Sequence, residues 1–534
     1  MKMLRVASIA GSLAALAFSG VAVSHDEGVE KLGNVRFQVS CNQEAQRGFE
    51  RALAMLHNFW FPQTVDAFAE VAKADPTCAM AHWGLAISRR TNPLVGAPAI
   101  DATKRGWEDI ERAKTPGAKT PRERDYIAAL DVYYRDWDKV DYGARVLAYE
   151  KAMEQVYRRY PKDLEAAVFY ALELNAAITV VPADKTYFRQ LKAARILEEV
   201  LAKQPDHPGA LHYLIHSYDF PMLADRGLPA SKRYGAVSPS APHALHMPSH
   251  VYSMLGMWEA SIQSNYSALG VAKSYVHAMD FMVYAYLQTG QDRQAERLMN
   301  ESFALQKAGG AAAQRTPTGA VLSVYTAYAA IPARYAIERG AWNEAAALEL
   351  NSRSPAADAI THFTRAMGYA RLGDRGHARQ EIQALQLLRD ELLQSKNDYW
   401  AEQLEIQRKA AGAWVALVEG DKTEALALMR SAADLEDASD KHIAMENRLW
   451  PMRELLGELL LELKEPALAL KEFEVSFEAA RNRLRGIAGA ASAAQTIGDS
   501  RKAAALYEKI LTLGKNADPD RQEIKQAKAF LSTR

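Results

Sequence analysis

Histidine stands in this chain at intervals that could gather a metal ion. His212 and His216 are four residues apart, and so are His246 and His250. Residues four apart on a helix lie one turn above each other, so each pair presents two imidazoles on one face. Such a pair can hold zinc, copper, nickel or iron through two neutral ring nitrogens without bending the backbone. The two pairs are themselves 34 residues apart, as are His243 and His277, and Asp280 and Tyr284 follow His246 and His250 by the same step. With 13 histidines in 534 residues, about 0.3 pairs would be expected at any chosen offset, and three occur at this one. Chance is a poor explanation; something in the architecture sets the interval.

That something is a repeated helical unit. Tyr218, Tyr252 and Tyr286 share the 34-residue interval and carry no obvious chemistry, so the frame is independent of the histidines. Nearly every segment reads as amphipathic helix broken by Gly or Asp-Pro turns. Only Val35 to Val39 alternates as a strand would. Trp83-Gly84 follows Asp75-Pro76; Leu456-Gly457, Leu460, Ala469 and Phe473 recur near the C-terminus, with Ala503, Gly498 and Tyr507 one interval on. In these residues the chain resembles the tetratricopeptide repeat family over most of residues 42 to 520. The resemblance implies an all-α solenoid of antiparallel helix pairs. It also implies that places two, five, nine and twelve of each first helix line a concave groove.

Units starting at Pro208, Pro242 and Val276 put His243 and His277 at place two. His212, His246 and Asp280 then take place five, His216, His250 and Tyr284 place nine, and Asp219 and Ser253 place twelve. First helices of neighbouring units pack about 8 to 10 Å apart, a gap that imidazole arms bridge from both sides. The simplest expectation is one ion held by His212, His216, His246 and His250. His243, His277, Asp219, Asp280 and Tyr284 would then support those rings or complete a neighbouring site. Copper or zinc is expected ahead of iron, either for handling the ion or as part of a metal-dependent enzyme; no catalytic residue is identified. The competing expectation is an interaction scaffold that holds a peptide or protein in the groove, the usual occupation of the family the chain resembles. His57, His82, His362, His377 and His442 read as satisfied core residues, and Arg334, Arg365, Arg453 and Glu454 as solvated helix faces.

Other chemistry is poorly represented. No Gly-rich phosphate loop, Gly-x-Ser-x-Gly, Cys-x-x-Cys, His-Glu-x-x-His or Cys-x-x-Cys-His haem motif occurs, so neither nucleotide nor haem is expected. Basic and acidic residues both number 65, which gives no bulk charge for nucleic acid. Lys2 and Arg5 precede an apolar run from Val6 to Val23, and Ala22-Val23-Ser24 suits cleavage. Residues 1–24 are therefore expected to be a signal peptide and the protein to be exported, periplasmic or secreted, with no membrane span afterwards. Residues 25–41 lead into N-terminal repeats at 42–207, the histidine-rich units at 208–307 and C-terminal repeats at 308–534. Long connections are expected at 91–122, 180–186 and 308–318. The only cysteines, Cys41 and Cys78, could pair in an oxidising compartment or remain separate thiols.

Overall fold

The computed structural model describes residues 30–533, apart from 116, 314–320, 351–353 and 443–447. The expected signal peptide at 1–24 lies outside the described residues. From Gln43 onward the chain is helix after helix, each packing mainly on its neighbours in sequence. Among the described residues the fold is an all-α array of antiparallel helix pairs. Helices start at the expected residues: Pro208–Ser217, Pro242–His246 and Val276–Gln288. Proline suits the first helical position because its missing N–H would have no intrahelical partner there.

The small residues of the repeat have a packing role. A Cβ on Gly84 would come within 2.3 Å of the Phe68 ring, and one on Gly489 within 2.3 Å of Phe473, which also lies 2.9 Å from a Cβ on Gly457. Paired helices close up because an aromatic ring on one fills the place of a missing side chain on the other. Tyr218 and Tyr286 are buried as the frame requires, whereas Tyr252 is only half-buried.

Three local expectations need correction. Val35, Phe37 and Val39 are buried while Arg36 and Gln38 are exposed, yet the segment is not a strand: it lies against the helices with no ladder partner among the described residues. Alternation reports which faces are buried and not whether a neighbouring strand exists. The stretch 91–122 is not all connection, since Ile100–Lys114 is a helix with Gly106 packed under the Tyr134 ring. Residues up to 313 continue the Asp292–Ala313 helix. Cys41 and Cys78 are joined in a disulfide with Cα atoms 5.1 Å apart, tying the lead-in segment to the start of the Ala79–Arg89 helix. Among the described residues, no helix is long and apolar enough to cross a membrane.

The C-terminal repeats return onto the histidine-rich units. Trp258 Nε1 donates to the Asn482 carbonyl (2.7 Å), and Gly256 meets the Asn482 side chain so closely that an added Cβ would lie 2.5 Å from it. Arg483, fully buried, bonds Tyr284 (2.7 Å), Glu338 (2.7 Å) and Glu454 (2.8 Å). Lys441 reaches Asp219 at 3.1 Å. These contacts close over the place where an open concave wall was expected.

Candidate metal centre

The histidines lie inside the protein. None of His212, His216, His243, His246, His250 and His277 is more than 4% exposed. This corrects the expectation of a groove wall facing solvent. Phe59 stacks on His243 and sits edge-on to His212, Tyr234 stacks on His212, and Phe281 covers His250. Two clefts lined by Ser253, Tyr284, Arg334, Lys441 and His442 among others have none of the six histidines in their walls.

Nor do His212, His216, His246 and His250 meet at one point. The structure gathers two groups of three, His212 with His216 and His243, and His246 with His250 and His277. His243 and His277, expected to stand behind the others, are members of the trios. In the first, His212 Nε2 lies 3.1 Å from His216 Nε2 and 3.0 Å from His243 Nε2. In the second, His246 Nε2 and His250 Nε2 are 3.1 Å apart. Two nitrogens at that separation can both sit about 2.0–2.1 Å from a single ion.

The outer edges of the rings are fixed, and this sets their tautomers. His212 Nδ1–H donates to the His57 carbonyl at 2.7 Å. His246 Nδ1–H donates to Asn265 Oδ1 at 2.7 Å, and the Asn265 amide is oriented by its own N–H bond to the Ser261 carbonyl, 2.8 Å. His250 Nδ1–H donates to Asp219 Oδ2 at 2.7 Å, while Lys441 holds the other carboxylate oxygen. His243 Nδ1 meets the Tyr275 hydroxyl at 2.8 Å. In the second trio His277 Nδ1 is buried and has no hydrogen-bond partner among the described residues. A neutral imidazole that donates through Nδ1 carries a bare lone pair on Nε2. Both His246 and His250 are in that state, with their lone pairs directed at each other.

Protons do not resolve this contact. Burial pushes the conjugate acids of His212, His243, His250 and His277 well below the ordinary imidazole range, and neighbouring imidazoles push in the same direction. Burial brings His246 down to about 4, opposed by Asn265 and Asp219. Burial pushes Asp219 the other way, up to about 7, against the pull of the Lys441 ammonium. Above that value Asp219 is a carboxylate, with the Lys441 ammonium at one oxygen and the His250 Nδ1–H at the other.

Two other expected residues lead away from the trios. Asp280 pairs with Arg334 (3.2 Å), and the Tyr284 hydroxyl accepts from Arg483 (2.7 Å). Arg334 and Glu454 are buried in these ion pairs and are not solvated faces.

A third cluster, His57, Glu165 and His207, has a different character. Both carboxylate oxygens of Glu165 are engaged, by His57 Nε2 at 2.8 Å and His207 Nε2 at 2.9 Å. His207 Nδ1 accepts from the Ala210 backbone N–H at 3.2 Å, so its Nε2 must carry the proton and cannot be a ligand. Burial would raise the Glu165 carboxyl, but the two imidazoles outweigh it and bring it to about 2. The cluster is a satisfied network that ties three helices together. It also positions the first trio, because His207 caps the helix bearing His212 and His216, and the His57 carbonyl holds His212.

Sequence reasoning missed Asn265, Tyr275, Lys441 and Glu165. None has a periodic signal, and each reaches the centre from another helix or segment. The trios themselves were legible: adding 34 to 212, 216 and 243 gives 246, 250 and 277, so the second trio is the first displaced by one repeat.

No family model matches this chain, and no curated protein matches it. Among solved structures it is similar to a tetratricopeptide repeat protein from Parabacteroides merdae, at 11% identity and a TM-score of 0.25, over 68% of this chain and 99% of that one. It is also similar to the human IFIT1 dimer with PPP-AAAA, at 11% identity and a TM-score of 0.40, over 82% of this chain and 90% of that one.

Proposed function

We propose that this protein is an exported helical-repeat protein that binds a transition metal, copper or zinc ahead of iron, through its buried histidines. One observation carries the reading. His246 and His250, each held by an acceptor at Nδ1, direct two bare Nε2 lone pairs at each other across 3.1 Å inside the protein. Two such lone pairs repel unless a cation lies between them. Burial disfavours a proton there, whereas a metal ion satisfies both nitrogens and removes the repulsion. The donors suit copper or zinc: nitrogen alone, with neither the thiolate of structural zinc clusters nor the carboxylate of a facial iron triad. The Asp219–His250 pair is the kind of outer support that fixes the tautomer of a ligating imidazole and raises its basicity.

Export is supported by the sequence at 1–24 and by the Cys41–Cys78 disulfide, a bond that persists in oxidising compartments.

The test is elemental analysis of protein purified without a His tag and dialysed against zinc and against copper. Wild-type protein is expected to retain metal, and His250→Gln, which keeps most of the side-chain volume, to lose a stoichiometric share of it. Alanine is a poor probe at a buried position, since it adds a cavity to the loss of a ligand. Wild-type protein that stays metal-free would overturn the reading and leave the interaction scaffold, with a peptide or protein partner, as the better account.

A further inference from the structure

The metal reading concerns whether the histidines bind an ion; the repeat determines how many. Each trio takes the histidines at places five and nine of one unit and the histidine at place two of the next: His212 and His216 with His243, then His246 and His250 with His277. The same three ligands are offered twice, one repeat apart: His212 and His216 stand on the single Pro208–Ser217 helix, whereas His246 and His250, expected on one helix face, stand on the consecutive short helices Pro242–His246 and Pro248–Met254. The trios are contiguous. His216 and His250 lie with ring centroids 6.2 Å apart, and His243 and His246 6.0 Å apart. Those distances across the trios match the longest one within a trio, 6.3 Å between His216 and His243.

We infer that the centre takes two ions side by side, one in each trio, and that the pair is copper bound as the monovalent ion. This rests on the metal reading and adds stoichiometry, pairing and charge to it.

Charge decides the oxidation state. All six ligands are neutral, and among the described residues the carboxylates at places twelve and five, Asp219 and Asp280, are matched by the cations Lys441 and Arg334. Two divalent ions would place four unbalanced charges in a site where no histidine is more than 4% exposed. Two monovalent ions halve that burden. Among ions that imidazole suits, copper is the one with an accessible monovalent state.

The experiment uses the full chain, loaded anaerobically with Cu(I) against a competing chromogenic chelator. Wild-type protein is expected to hold two copper ions per chain, His216→Gln one, His250→Gln one, and the double variant none, with far-ultraviolet dichroism confirming that each remains folded. Oxidation of the two-copper form with ferricyanide, taken to completion as two equivalents consumed per chain, should then yield far less spin-resonance intensity than two isolated Cu(II) ions give, because adjacent ions couple. One copper per wild-type chain, or full intensity from two uncoupled ions, overturns the inference while leaving the metal reading intact. No metal of any kind would overturn both. Because stoichiometry and spin coupling are read on the wild type, a variant that fails to fold does not remove the test.

Discussion

Asp219 faces His250 with one carboxylate oxygen and Lys441 with the other, so Asp219→Asn keeps an acceptor near His250 and removes the charge. Loss of such outer support typically costs 10- to 100-fold in metal affinity, and a chelator competition on the purified variant should show a fall of about that size. The histidines also set how the metal-free protein responds to acid. Burial pushes down the folded-state pKa values of His212, His243, His250 and His277, and that of His246 to about 4, whereas the unfolded chain takes up a proton on each near pH 6.5. Below that pH the unfolded state binds more protons, so stability falls as pH falls, by about 1.4 kcal/mol per unit for each such group. Asp219 acts oppositely: its pKa, raised to about 7, favours the folded state as pH drops from 7 towards 4. One group does not offset several. A dichroism titration of apo-protein should therefore show unfolding between about pH 6.5 and 4, with copper or zinc moving the midpoint lower. An unfolding midpoint independent of metal would show that the histidines are not the ligands.

Among the helices, the approach of Pro208–Ser217 to Gln43–His57 matters most. A Cβ on Gly209 would lie 2.5 Å from His57 Nδ1, so this glycine lets the helix bearing His212 and His216 sit against the His57 carbonyl that orients His212. Gly209→Ala must push the helices apart, at a cost of about 1–3 kcal/mol. The expected outcome is a lower denaturation midpoint together with loss of metal from the first trio, while His246, His250 and His277 keep theirs. An unchanged midpoint with full metal content would show that the close approach is not needed. The same scale shows what periodicity could and could not reveal. The starts at Pro208, Pro242 and Val276 and the buried Tyr218 and Tyr286 were legible because a stacked repeat imposes one interval on every residue it uses. The helix at Ile100–Lys114 was not, because its Pro- and Gly-rich flanks obscured an otherwise amphipathic stretch.

Across the whole molecule, stability is distributed along the solenoid, and local cuts should have local effects. The disulfide spans a sequence separation of 37, and closing such a loop is worth about 4 kcal/mol on chain-entropy grounds. Cys41→Ser with Cys78→Ser is expected to loosen the lead-in segment, read as faster proteolysis near the N-terminus, while metal content stays at the wild-type value because His57, which orients His212, lies at the far end of the Gln43–His57 helix from Cys41. Loss of metal from that variant would mean that the repeats act as a single cooperative unit. The buried bonds of Arg483 to Glu338, Glu454 and Tyr284 join the C-terminal repeats to the histidine-rich ones.

By itself the sequence determined the helical repeat, its frame and the equivalence of three histidine places in successive units, since a period in the chain becomes a period in space whenever each unit packs on the next. It also contained the pairing of His243 with the first trio and His277 with the second, but reading it required knowing that place two of one unit reaches back to places five and nine of the unit before. Only the tertiary structure decided that the histidines are enclosed and that Lys441 and Asn265 hold two carriers of the site in place. It alone set Glu165 beneath them as a support. Those residues come from other helices or from more than 150 positions away, and no local pattern encodes a contact made by the return of the chain onto itself.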